Sequence, residues 1–332
     1  MSKNTNNQFF ITESNCLTLC IPKIGLSKSE SQSSVFVFNP GEKNKNSSSF
    51  LKAIEFLASK NASRDALLIN VGGGVTTDLG GYIAASYKRG ISFINIPTSL
   101  MGMVDASHGG KVGINHGNLK NYIGAFVNAS HIYICTDFLK TLPEQELISG
   151  FAEILKHGLI SDKTYWTECS NIEPTELSSE KWLPIVKKSI DIKSAIVNDD
   201  FKEQNIRKIL NFGHTIGHSI ESHFLKHNKN ITHGQAVASG MIMEAYISNK
   251  LSTLPEIELN EIESTIDKTF ERVAIEHKDI DELLSFIKFD KKNKAGNINM
   301  SLLKSIGVSK YDRNVSHELI KEALEFYIAG NQ

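Results

Sequence analysis

The feature that most constrains the fold is a change of hydrophobic period near residue 140. Before it, short apolar runs alternate with amphipathic stretches. FFIT (9–12), SVFVFN (34–39), ALLINV (66–71), ISFINI (91–96) and HIYICT (131–136) read as strands, and SFLKAIEFLASK (49–60) reads as a helix. Strands that alternate with helices build a parallel sheet, because each helical crossover returns the chain to the same end of the sheet. After Pro143 the period becomes helical, over 143–160, 178–198, 207–224, 234–250 and 256–273. The expectation is an α/β domain over 1–140 and a mainly α-helical domain over 141–332, with no long linker and a catalytic cleft at the junction.

At 332 residues the chain can bury two cores. A formal net charge of −1 gives no broad attraction for nucleic acid or an anionic membrane, so any anion must be held by a local cluster. Four scattered cysteines, Cys16, Cys20, Cys135 and Cys169, make no disulfide framework and fit a reducing cytoplasm. The polar start MSKNTNNQ and the lack of 18 consecutive apolar residues indicate neither export nor membrane insertion.

Chemistry gathers in four places. INVGGGVTTDLGG (69–81) runs from a strand through three glycines into a helix, where backbone amides can approach a pyrophosphate. The spacing is not GxGxxG, and a plain tight turn would look the same. In 87–126, Arg89, Asp105, Lys111, Lys120 and Asn121 stand among glycines. That segment is either a long surface loop or a set of groups for phosphate, carboxylate and hydroxyls. Glu153 and Lys156, three apart on one helical face, form a structural or a functional pair.

The fourth place is ILNFGHTIGHSIESH (209–223). On a single helix at about 100° per residue, Arg207, Asn211, His214 and His218 share an arc of roughly 60°, with Glu203 beside them. A metal-binding pair, an acid/base pair and two packed histidines all remain open. His233 precedes a helix of small residues in ITHGQAVASGMIMEAY (231–246). With Glu153 and His214 it could complete a Glu/His/His set suited to zinc with an open position.

Collectively GGGVTTDLGG, YKRG, PTSLMGMVDASHGGK, LKNYIGAF, FLKTLPEQEL, SGFAEILKHGL, RKILNFGHTIGH and THGQA, in that order between residues 38 and 310, resemble the 3-dehydroquinate synthase family. The resemblance implies a Rossmann-like NAD-binding domain and a helical metal- and substrate-binding domain. Glu153, His214 and His233 would ligate Zn²⁺, with Co²⁺ as an alternative. His218 would be an acid/base or hydrogen-bonding neighbour. Lys156, Lys193, Arg207 and Asn211 align with substrate-binding positions, as do Arg89, Asp105, Lys111, Lys120 and Asn121. Lys291 or Lys292 matches a further substrate lysine. Gly73, Gly74, Asp78, Thr98, Ser99 and Thr141 match NAD positions, with Lys111 and Lys120 also assigned to the cofactor, and Glu42 and Lys45 match the adenosine side.

The implied reaction converts 3-deoxy-D-arabino-heptulosonate 7-phosphate to 3-dehydroquinate and phosphate. The C5 hydroxyl is oxidised transiently, phosphate is eliminated, the hydride returns, and an aldol step closes the ring. A homodimer and a cytoplasmic location are also implied. Related readings are a sugar-phosphate cyclase acting on sedoheptulose 7-phosphate, a metal-dependent alcohol or glycerol phosphate dehydrogenase, and a silent binding protein.

The sequence departs from the family pattern at four points. His108 replaces a small apolar residue and would add a titratable donor near Asp105 and Lys111. Asn205 replaces a glycine, with a cost of about 1 kcal/mol if the position needs φ > 0. Gln235 replaces a glutamate, which would weaken zinc binding if that carboxylate supports His233. About twenty residues of the family pattern have no counterpart before FFITESNCLTLCIP, which implies a nucleotide domain short of an edge strand and more dependent on the dimer. Glu13 and Asn15 would still hold ribose hydroxyls.

Overall fold

A computed structural model of the chain describes residues 7–25, 34–117, 119–251, 253–288 and 298–330. Lys291 and Lys292 lie outside the described residues. Contacts divide the chain into one unit of Met1–Pro143 with Ser178–Ile190 and another of Glu144–Leu177 with Asp191–Gln332.

The first unit opens with β1 (Gln8–Glu13), α1 (Ser14–Leu19), β2 (Val35–Phe38), α2 (Ser47–Ser59), β3 (Leu67–Gly72), α3 (Gly74–Ser86) and β4 (Ser92–Pro97). It continues with β5 (Lys111–His116), β6 (Leu119–Phe126) and β7 (His131–Ile132). Five strands form a parallel sheet in the order β2-β1-β3-β4-β7. β1 and β3 are buried along nearly their whole length, as continuous apolar runs covered on both faces must be. Phe9, Ile11, Leu57, Leu68, Leu79, Ile83 and Phe93 make the core. The chain passes from β1 to β2 on one side and then to β3 on the other, so the strand order reverses between β1 and β3. The carboxyl ends of strands at such a reversal are where open α/β sheets hold ligands.

Two expectations in this unit need correction. HIYICT supplies only the two-residue β7. The long-surface-loop alternative for 87–126 does not hold: besides the expected strand β4, it contains a π-helical turn over Gly102–Ala106 and the antiparallel hairpin β5–β6. Its glycines serve strand packing, since a Cβ on Gly113 would lie 2.6 Å from the Ile123 carbonyl and one on Gly124 2.4 Å from that of Val112.

The second unit contains α4 (Glu144–Ser161), α5 (Lys163–Cys169) and the part of α6 (Ser179–Asp199) from residue 191. There follow α7 (His214–Lys226), α8 (His233–Lys250), α9 (Glu256–Thr269), α10 (Ile280–Lys288), β8 (Ile298–Ser305), β9 (Val308–Val315) and α11 (His317–Ala329). The domain is mainly helical, as expected, and the β8–β9 hairpin is an addition to that reading. It turns at Gly307, where φ is +86° and glycine avoids the strain of a left-handed residue.

The helix expected over 207–224 is two elements. Ile206–Asn211 is a 3₁₀ helix and α7 starts only at His214. Gly213 between them has φ +78°, which ends one helical path and starts another. Arg207 and Asn211 are therefore not on the helix of His214 and His218. The preceding turn is organised by Asp200, whose carboxylate accepts the backbone N–H groups of Gln204, Asn205 and Arg207 at 2.9, 2.6 and 3.1 Å. The left-handed residue there is Glu203, φ +57°. Asn205 has φ −136°, so the cost assigned to a positive φ at 205 does not arise.

At the far end of α7, Glu282 of α10 pairs with Lys226, His227 and His223. Lys226 first, then the histidines, hold its carboxyl at about 2, against an ordinary 4.5. A depressed carboxylate stabilises the fold above its unfolded pKa and loses that contribution as the pH falls through its folded value. In acid titrations followed by circular dichroism, the stability difference between wild type and Glu282→Gln is expected to shrink between pH 4.5 and 2. A constant difference would show that the pairing contributes nothing. Among the described residues, no helix is long and apolar enough to cross a membrane.

Candidate functional site

In the first unit the glycine turn joins β3 to α3 at the strand reversal. Gly73 caps α3 without any side-chain hydrogen bond, so the first amides of the helix keep donors for an anion. The turn tolerates little bulk. An added Cβ would meet Thr76 Oγ1 at 2.2 Å from Gly72, Ser99 Oγ at 3.1 Å from Gly73 and the Ala106 Cβ at 3.0 Å from Gly74. Thr98 N–H donates to the Gly72 carbonyl at 3.0 Å, and Ser99 Oγ accepts from Gly102 N–H at 3.1 Å. Gly73, Gly74, Thr98, Ser99 and the turn carrying Asp105 thus come together.

Beside this turn lies a charged network. Buried Lys45 sits 3.0 Å from Asp78 and 3.1 Å from Glu42. Burial opposes the charge on Lys45, but Asp78 and Glu42 outweigh it and raise its pKa. Asn115 donates to Glu42 Oε1 at 2.8 Å and accepts the Asn121 N–H at 2.8 Å. This draws the Lys120–Asn121 end of the β5–β6 hairpin to the network. Glu13 Oε1 accepts from Gly41 N–H at 3.2 Å, and Asn15 Oδ1 accepts from Cys16 N–H at 2.9 Å.

Other expected members are spread out. Lys111 pairs in register with Phe126, at the other end of the hairpin from Lys120, about 17–20 Å away at strand rise. Arg89 is exposed beyond the C-terminus of α3, roughly 20 Å along that helix from Gly73. His108 follows the π turn, its N–H on the Asp105 carbonyl at 3.1 Å. Thr141 closes the turn Thr136–Thr141, its hydroxyl on the Phe138 carbonyl at 3.3 Å.

The second unit brings Glu153 (α4), His214 (first residue of α7) and His233 (first residue of α8) to one point. Glu153 Oε1 faces His214 Nε2 at 3.4 Å and His233 Nε2 at 3.6 Å. That oxygen is buried and has no hydrogen-bond partner, an expensive state unless a cation is to be met there. The other ring nitrogens are committed elsewhere. His214 Nδ1 is 3.1 Å from the Phe212 carbonyl, which can only accept, so Nδ1 carries the proton and Nε2 presents a lone pair. His233 Nδ1 is 3.3 Å from Glu221 Oε2, the carboxylate–histidine arrangement that orients metal ligands. These residues fit a divalent ion of the zinc or cobalt type.

Electrostatics agree with that use. Burial would raise the Glu153 pKa, but Lys156, then His214 and His233, hold it well below the carboxylate range. Burial and the Lys156 ammonium push His214 far down, leaving it neutral. Burial would also lower His233, yet Glu221 and Glu153 carry it to about 10, so an ion there replaces a proton. Lys156, 1% exposed, donates to Glu153 Oε2. His218 is exposed, with its ring 5.2 Å from that of His214 and 6.0 Å from that of His233. Lys193 and Arg207 are buried. Arg207 donates to the Phe201 carbonyl at 2.5 Å and Asn211 to Glu203 at 2.5 Å.

Two groups escaped the sequence reading. Buried Glu244 of α8 caps α7, accepting from Gly213 N–H at 2.8 Å and Ile216 N–H at 3.1 Å, and so positions His214. Glu221 is the carboxylate behind His233. It lies seven residues after His214 on the same helix, a spacing that could have marked it. Gln235 does not face His233: it closes a capping box with Thr232. Replacing it by glutamate is therefore expected to leave metal affinity within about twofold, whereas Glu221→Gln should weaken it roughly 10–100-fold. A metal titration in which Gln235→Glu binds tenfold tighter would reverse that assignment.

A parallel sheet with a glycine turn at its strand reversal, and a Glu/His/His centre built on helices around a buried glutamate, define the class of dehydroquinate synthase-like folds. Sequence profiles described as 3-dehydroquinate synthase N-terminal and C-terminal match residues 35–149 and 150–293. The chain belongs to the 3-dehydroquinate synthase family. It is 39% identical to the 3-dehydroquinate synthase of Parabacteroides distasonis over 96% of this chain and 90% of that one. It is 37% identical to that of Thermoanaerobacter pseudethanolicus with the same coverage. Among solved structures, a 2-deoxy-scyllo-inosose synthase complexed with carbaglucose-6-phosphate, NAD⁺ and Co²⁺ superposes with a TM-score of 0.84 at 25% identity, covering 98% of this chain and 92% of that one. The 2-epi-5-epi-valiolone synthase ValA of Streptomyces hygroscopicus shares the fold at 0.82 and 22% identity, covering 98% and 91%.

Proposed function

We propose that this chain converts 3-deoxy-D-arabino-heptulosonate 7-phosphate to 3-dehydroquinate and phosphate, with NAD⁺ and Zn²⁺ or Co²⁺ as resident cofactors. The observation that carries the reading is the unpartnered Glu153 Oε1 facing two histidine Nε2 atoms. Identities near 39% with dehydroquinate synthases, against 25% with the inosose synthase, favour this substrate over other sugar phosphates. An ion held by Glu153, His214 and His233 would polarise a substrate hydroxyl, and the nicotinamide would accept and return its hydride.

The chain's own residues supply the rest. The amides at Gly73 and Gly74 receive the pyrophosphate, and Lys45 with Asp78 and Glu42 forms the adenosine-side wall, joined by Thr98, Ser99, Lys120 and Thr141. Lys156 keeps Glu153 ionised. Lys193, Arg207, Asn211, Lys111, Arg89 and Asn121 are the candidates for the substrate's carboxylate and phosphate, with Asp105 for its hydroxyls. Two anionic groups on one substrate call for several cations, which would stabilise the phosphate as it departs. His218, exposed beside the centre, is the candidate proton carrier. The proposed nucleotide-binding domain is 1–140 and the metal- and substrate-binding domain 141–332, with residues 178–190 packing in the first unit.

The four cysteines are unpaired, which supports a cytoplasmic enzyme. Leu119, Tyr122 and Phe126 stand exposed on β6, which supports a homodimer, testable by sedimentation. The reaction is tested by following phosphate, dehydroquinate and NADH in parallel, with sedoheptulose 7-phosphate as the comparison substrate. Equal phosphate and dehydroquinate without accumulating NADH is the expected result. Turnover of the comparison substrate alone, or net NADH formation, would overturn the proposal.

A further inference from the structure

A second group of histidines lies at the opposite end of α7 from His214. His223 and His227 are four apart, so they share a helical face, and Glu282 of α10 reaches both. His223 Nδ1 lies 2.5 Å and His227 Nε2 2.8 Å from the same oxygen, Glu282 Oε2. The two rings are 4.6 Å apart, and the three donor atoms all lie within 4.8 Å of one another. The other nitrogen of His223, Nε2, faces Asp279 Oδ1 at 3.8 Å. Lys226 occupies the other oxygen of Glu282, Oε1, which leaves Oε2 to the histidines.

We propose that His223, His227 and Glu282 form a second site for a divalent transition-metal ion, distinct from the Glu153 centre. Two imidazoles and one carboxylate select zinc, cobalt, nickel or copper over magnesium and calcium, which take oxygen ligands. His223 is buried, whereas the side chain of His227 is 47% exposed, so an ion can enter from solvent and retain water as a further ligand. Asp279 lies near the far nitrogen of His223, at 3.8 Å, beyond hydrogen-bond distance. The proposed site ties residues 223 and 227 to residue 282, joining α7 to α10, and its role is structural. His214 and His223 are nine residues apart on one helix, about 13 Å along its axis, so α7 would carry a ligand of each centre. The inference does not depend on the reaction proposed above.

The test is a Zn²⁺ titration of the full chain at neutral pH, competed against a chromophoric chelator. The variants are His227→Gln, Glu282→Gln and His214→Ala. Wild type is expected to bind two equivalents. His227→Gln and Glu282→Gln should each weaken one of them at least about tenfold while turnover is retained. His214→Ala should lose the other equivalent and keep this one. Because His227 is exposed, its variant folds, and a zinc-dependent rise in the melting temperature of His214→Ala should vanish in the His214→Ala/His227→Gln double variant. The proposal is overturned if His227→Gln binds as many equivalents as wild type with the same affinities. If His227→Gln loses an equivalent that His214→Ala retains, the proposal is supported whatever becomes of the Glu153 centre.

Discussion

Glu153→Ala is expected to abolish turnover and to destabilise the chain by about 3–5 kcal/mol, because it strands a buried ammonium. Lys156 is 1% exposed and its Nζ donates to Glu153 Oε2. Without the carboxylate, that charge must stay unpaired in a medium of low dielectric or give up its proton, and either outcome costs stability. The double variant Glu153→Ala/Lys156→Met should recover part of the loss, since no buried charge is left unpaired, while the cavity left by alanine keeps the remainder. It should remain inactive and fail to bind metal at this centre. Denaturant unfolding of the wild type, both singles and the double separates the two roles of Glu153, as partner of Lys156 and as ligand. A single variant as stable as wild type would show that Lys156 has another partner of equal strength.

Gly240→Ala is expected to cost about 3 kcal/mol or more and to lower metal affinity in the same variant. A Cβ at Gly240 would fall 2.0 Å from the Gly213 carbonyl and 2.9 Å from the Gly217 amide nitrogen. Both obstacles are backbone, so no rotamer change can relieve them. α8 would have to move off α7, and Gly213 N–H and Ile216 N–H would be drawn from the Glu244 carboxylate that fixes the start of α7 and His214. Thermal unfolding and a zinc titration check this. A melting temperature within a degree of wild type would show that the two helices can separate freely.

The strands β1 to β4 and most helices were legible because they obey the period rules on which the reading rests. The hairpin β5–β6 was not, because its glycines break the apolar alternation that marks a strand. Gly113 and Gly124 are instead cross-strand partners that must lack a side chain. The hairpin β8–β9 lay in a half already read as helical, and its signal is the single turn glycine at 307. The continuous stripe from Arg207 to His218 failed at Gly213, whose positive φ no helical wheel can register. The residues of the Glu153 centre could be singled out from the sequence because each sits in a motif. Glu244 could not, because its partners are backbone amides about thirty residues away and a buried glutamate on a small-residue helix has no periodic mark. The role imagined for residue 235 was taken by Glu221, another pairing that only the folded chain reveals.

The central place of β1 in the sheet also has a consequence for synthesis. Residues 8–12 need residues 67–71 as one of their two neighbours, so β1 must wait for β3. At about 5–20 residues per second, translation of the intervening stretch of roughly 60 residues takes about 3–12 s. For that time Phe9, Phe10 and Ile11, which end at 7% exposure or less, are apolar surface on a nascent chain. β1 is therefore a stretch that a ribosome-associated chaperone would need to cover, and slowing translation between residues 13 and 67 would increase aggregation.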